Sequence, residues 1–139
     1  MAGAARGWTH YDALLLFAID GGRRGADLDD IVSTVDYVDR SLPTAAEFDH
    51  ALNGLLAAEL VTVGGDRFAI TAEGRSVTRG GWRERPYDAC VRIRETLELR
   101  FPGMAGADTG YAIDPAALDR AIDDYVARVE RRRRRARPP

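Results

Sequence analysis

At 139 residues, 45% of them hydrophobic and 30% charged, the chain has room for one ordinary globular domain, or for a small domain with a helical appendage. Its longest apolar run, residues 13–19, is far too short to span a bilayer. No signal-peptide-like stretch follows a basic start, so a cytoplasmic protein without membrane contact is expected. The net charge of −2 divides into an acidic half (residues 1–74, five arginines against twelve carboxylates) and a basic half (75–139, fifteen against ten), so the distribution of charge bears on partners more than its total.

In chain order, residues 1–8 read as a flexible N-terminus. Thr9 with Asp12 three residues on is an N-terminal helix signal, and Tyr11, Leu14, Leu15, Ala18 and Ile19 follow at helical spacing until Gly21 and Gly22. Asp27 and Asp30 open a second helix with the stripe Leu28, Ile31, Val32, Val35 and Val38, closed by Ser41, Leu42 and Pro43. Thr44 and Glu47 form a capping box for a third helix that buries Phe48, Ala51, Leu52, Leu55 and Leu56 and ends near Glu59. Residues 60–63 and 67–71 alternate like strands, and Gly64, Gly65 and Asp66 between them read as a hairpin turn. Thr71 caps a short fourth helix to about Thr78.

Residues 79–85 read as a linker by their glycines and charge. Trp82 within it is expected to pack on the domain, with base stacking as the alternative. Pro86 starts a helix over 86–101 with Cys90, Ile93, Leu97 and Phe101 on one face. After a glycine-containing loop, Asp114 and Pro115 start another, with Leu118, Ile122, Tyr125 and Val129 aligned down to Glu130. Residues 131–139 read as a disordered basic tail. The organisation expected is thus a domain over 9–78, a linker, a two-helix extension over 86–130 and the tail. Because the two trailing helices lack a third partner of their own, they either fold back on the domain or pair across a two-fold axis; of the two, pairing is the expectation, with Ile93, Leu97, Leu118, Ile122 and Tyr125 forming a homodimer interface.

Three helices, a two-stranded hairpin and a short helix make a mostly α, α+β arrangement. The stretch from Thr44 to Arg75, TAAEFDHALNGLLAAELVTVGGDRFAITAEGR, resembles the recognition helix and wing of bacterial winged helix-turn-helix regulators of the broad MarR/PadR type. The likeness covers residues 9–78. It rests on the Ala51, Leu52, Leu55, Leu60, Val61 spacing followed by Phe68, Ile70, Thr71 and Gly74. Glu59 stands where that family usually has glycine, which points to a different exit from the third helix.

The resemblance implies a transcriptional-regulator-like protein that lays its third helix in the major groove of double-stranded DNA. Carried over by position, Ala45, Ala46, Asp49, His50 and Asn53 face the groove and Arg67 sits on the wing. Of these, His50, Asn53 and Arg67 are the candidate DNA contacts, together with Arg131, Arg132, Arg133, Arg134 and Arg135 of the tail, whose charge suits phosphate. The third helix, however, offers no arginine and presents Asp49 to a polyanion. That leaves open the alternative, a winged helix that contacts protein and never DNA.

An enzyme is not expected. No phosphate-binding loop, dinucleotide fingerprint or zinc spacing occurs, and His10 and His50 belong to no spaced catalytic motif. The lone Cys90 excludes an internal disulfide and reads as a small core residue, and neither metal nor cofactor is expected.

Overall fold

The computed structural model describes residues 7–22 and 24–137. They form α1 (His10–Asp20), α2 (Leu28–Asp39), α3 (Ala45–Ala57), a hairpin of β1 (Val61–Gly64) and β2 (Arg67–Ile70), α4 (Ala72–Thr78), a 3-10 turn (Gly81–Arg83), α5 (Pro86–Arg100) and α6 (Pro115–Ala136). The fold is mostly helical with one small antiparallel sheet. No helix among the described residues is long and apolar enough to cross a membrane.

Local chemistry sets most helix starts. Thr9 with Asp12, Asp27 with Asp30, and Thr44 with Glu47 each close a reciprocal capping box, which satisfies two otherwise orphaned backbone donors per helix. Gly64 pairs with Arg67 across the hairpin, so the loop is only Gly65 and Asp66, and Gly65 takes the φ of +63° that so tight a reversal demands. The hairpin is tied to the segment between α1 and α2. Ala26 N–H donates to Phe68 O at 2.7 Å, and Phe68 N–H donates back to Ala26 O at 2.8 Å.

The exit from α3 differs from the expectation. Glu59 adopts φ +58°, the left-handed conformation that glycine usually supplies, and Leu60 N–H donates back to Leu55 O at 3.0 Å. This is the glycine-type helix closure made with a glutamate, at a backbone cost of about 1 kcal/mol. Burial of Leu55 and Leu60 side by side and a hydrogen bond from Thr71 Oγ1 to Glu59 O hold it in place.

At the centre lies α1. Every residue from Ala13 to Ile19 is buried, so this helix is covered on all sides and is not amphipathic. The hairpin and α2, α3 and α4 cover part of its circumference; α5 covers the rest. That explains the unbroken apolar run, and it also removes three residues from the expected dimer surface. Ile93 and Leu97 of α5 and Leu118 of α6 are buried within this one chain, while Ile122 and Tyr125 are half-buried where α6 leans on α2.

The expected linker is tethered. Arg92 donates to the carbonyls of Val77, Thr78 and Arg79 and to Glu84, binding the end of α4 to α5. Trp82 stacks on Phe17 with ring centroids 4.1 Å apart, as the packing reading expects, though half its surface stays exposed. At the N-terminal end, Trp8 is 1% exposed and its indole N–H donates to Phe101 O at 3.0 Å, so the flexible stretch does not extend to it. Residues 1–6 of that stretch, and Pro138 and Pro139 of the tail, lie outside the described residues.

Cys90 sits in the core on α5. Burial first, and the Asp39 carboxylate second, push its thiol up to about 12, so thiolate is scarce near neutrality. In the native protein at pH 8, Ellman's reagent should label Cys90 at least about a hundredfold more slowly than in the urea-unfolded chain. Equal rates would place the thiol at the surface.

Candidate functional site

The sequence places the candidate contacts on the outer face of α3, the wing and the C-terminal arginines. The face of α3 is built by its register: Asp49, His50 and Asn53 follow one another at helical spacing, with His50 reaching Asp12 of α1. In the folded chain the loop between α5 and α6 runs across that face. Asn53 is only 8% exposed, and its amide is engaged by the loop and by its own helix. Its Nδ2 donates to Asp49 O at 2.8 Å and to Tyr111 O at 2.9 Å. Its Oδ1 accepts from Thr109 N–H at 3.0 Å, from the Thr109 hydroxyl and from Tyr111 N–H at 3.2 Å.

The neighbouring side chains do the same. Asp49 Oδ1 accepts from Ile113 N–H at 2.8 Å. His50 packs against Gly106, where φ is +65° and where any Cβ would collide with the imidazole. The loop then drops Tyr111 between Phe48 and Phe68, with its ring about 6.4 Å from each; burial, then Asp49, raises its phenol above the ordinary value. The structure therefore corrects the assignment of Asn53 as a groove-facing residue, because every hydrogen-bonding position on its amide is occupied from within the chain. Asp49 is likewise engaged, and His50 is hemmed in by Asp12 and Gly106 and keeps about 30% of its side chain exposed.

On the hairpin, Arg67 is exposed, and its Nη1 donates to Gly25 O at 3.3 Å. The turn beside it carries Asp66, which shares a shallow cleft with Asp27, Asp29, Arg120 and Asp124. Phosphate would meet an acidic neighbourhood there.

The arginines of the tail are arranged differently from the expectation. Residues 131–136 are not disordered but continue α6 without a break to Ala136. Earlier in α6, Leu118 is buried, Tyr125 donates its hydroxyl to Asp36 at 2.6 Å, and Arg128 pairs with Asp29 at 2.8 Å. Those contacts dock the helix on α2. Beyond Glu130 every described side chain is exposed, and among the described residues none of Arg131, Arg132, Arg133, Arg134, Arg135 or Arg137 has a carboxylate partner. Five consecutive residues at 100° per step pass more than once around the helix, so positive charge faces every direction.

Sequence reasoning found these arginines but missed the helix that carries them. The available signal was the unbroken run from Asp114 to Ala136 without glycine or an internal proline. Comparison with known proteins returned no matching family model, curated relative or solved structure.

Proposed function

We propose that this protein is a winged-helix nucleic-acid-binding protein, regulator-like in its domain, that grips double-stranded DNA through the arginine-bearing end of α6. The winged-helix reading is supported by the order of three capped helices, a two-residue hairpin and a short helix, and by the Ala26–Phe68 bridge that anchors the hairpin. The observation that carries the DNA reading is the array of exposed arginines without carboxylate partners among the described residues, five on the last turns of α6 and Arg137 just past its end. Like charges three and four residues apart repel along a helix, and only the C-terminal end of the helix dipole favours them. A polyanion relieves that repulsion and releases its own counterions in doing so.

In this arrangement α3 does not read bases. Its outer face seats the α5–α6 loop, and the contact is with phosphates, so little sequence preference is expected. The same closed, acidic α3 face favours one other reading, a winged helix devoted to protein contact. Self-association as a homodimer would have to use surface other than Ile93, Leu97 and Leu118. Leu42 and Val126, both more than a third exposed, line a cleft with Tyr125 and Val129 that offers one such surface.

Fluorescence anisotropy of a labelled mixed-sequence duplex titrated with the full chain at 25, 100 and 200 mM salt separates the readings. Binding that weakens linearly on a log–log salt plot supports DNA contact through the arginines. Absence of binding at 25 mM salt removes it and leaves the protein-contact reading.

A further inference from the structure

The segment between α4 and α5 is held at both ends by Arg92, which donates to Arg79 O at 3.1 Å and to the Glu84 carboxylate at 2.8 Å. Within it, Arg83 N–H donates to Gly80 O at 3.0 Å. On this fixed turn Trp82 lays one face of its indole on Phe17. The ring edge passes over Gly21, where a Cβ would stand 2.7 Å from the indole Cζ2, so only glycine lets the ring settle there. Half of the residue nevertheless stays exposed. A tryptophan seated in this way has little rotamer freedom left to lose, and an incoming flat group has the face opposite Phe17 to stack on.

Trp82 borders an open cleft of about 380 Å³ together with Asp20, Arg79, Gly80 and Arg83. That volume falls within the range of small-ligand sites. Both arginines are exposed, as is Arg85 just beyond, and among the described residues none of the three has a carboxylate partner. Residues 1–6, 23, 138 and 139 include no aspartate or glutamate. Glu84, between Arg83 and Arg85, is engaged by Arg92.

The lining sets the chemistry of the occupant. An ammonium group, a common partner of an indole face, would meet two arginines here. An aliphatic partner would cover the tryptophan but gain nothing from the cations. A nucleic acid strand uses both, because its phosphates suit the guanidiniums while an unpaired base covers the indole. Asp20 supplies an acceptor for the ring N–H or amino group of such a base. A duplex keeps its bases stacked on one another and has none to offer, so the site does not depend on the double-strand grip proposed for α6.

We propose that the cleft at Trp82 binds single-stranded nucleic acid, with one unpaired base stacked on the indole and the adjoining phosphates at Arg79 and Arg83.

Tryptophan fluorescence of the full chain in 100 mM salt, titrated with a strand of eight thymidines and with an abasic strand of the same length, tests this. Trp8, the other tryptophan, is buried, so quenching reports Trp82. Saturable quenching by the thymidine strand is expected, and none by the abasic one. The arginines of α6 hold both strands alike, so the difference between the two belongs to the bases. Trp82→Leu should remove the quenching. Arg79→Gln combined with Arg83→Gln alters only exposed side chains and keeps the indole; it should move the quenching midpoint at least about tenfold higher, as loss of two phosphate contacts to a single strand requires. The proposal is overturned by no saturable quenching, by equal quenching from the abasic strand, by quenching that survives Trp82→Leu, or by an unchanged midpoint in the double arginine variant.

Discussion

Replacing Asn53 by leucine should cost about 3–5 kcal/mol of stability, although the residue lies on what the sequence marks as the exposed reading face of α3. Leucine matches asparagine in size but neither donates nor accepts. The substitution strands Thr109 N–H, Tyr111 N–H and Tyr111 O of the loop against α3, and each part-buried group left without its partner costs about 1–2 kcal/mol. Asp49 still holds Ile113, so the loop should loosen around residues 106–111 rather than detach altogether. Urea unfolding measures the cost, and amide hydrogen exchange at Thr109 and Tyr111 locates it. A DNA-reading Asn53 would behave in the opposite way, with stability unchanged within about half a kcal/mol and only sequence choice altered.

Asn53 also shows where legibility in the sequence stops. The capping boxes at Thr9, Asp27 and Thr44 were readable because both partners lie within three residues, and the hairpin because its turn residues are adjacent. Asn53 meets Thr109 and Tyr111 across 56 and 58 residues, a pairing that no local pattern records. The central position of α1 was half-legible. Its seven apolar residues in a row already exceed one amphipathic stripe, but what covers the second side, Ile93 and Leu97 of α5, is a tertiary choice. The same pair looked like an unpartnered face only because that choice could not be read. Glu59 misled in a different way: residue type argued against a left-handed backbone, and surrounding packing enforced one.

Removing residues 131–139 should leave the fold intact and, on the proposed DNA reading, abolish most of the DNA affinity. The contacts that dock α6, from Leu118, Tyr125 and Arg128, all precede Glu130, and every described side chain after it is exposed. The thermal midpoint should therefore stay within about 2 °C of the full chain. Each arginine that neutralises a phosphate contributes about 0.9 to the log–log salt slope, so losing roughly four such contacts should flatten the slope by about 3.6. A charge change of that size corresponds to roughly a hundredfold to a thousandfold weaker binding near 100 mM salt. Arg67→Ala should change the slope by at most about one, because that guanidinium is a single charge beside Asp66 and Gly25. His50→Ala should leave it unchanged, since the imidazole faces Asp12 and Gly106. If instead the truncated chain keeps its slope while Arg67→Ala or His50→Ala flattens it, the DNA lies on α3 and the hairpin, and the loop over α3 must open to admit it.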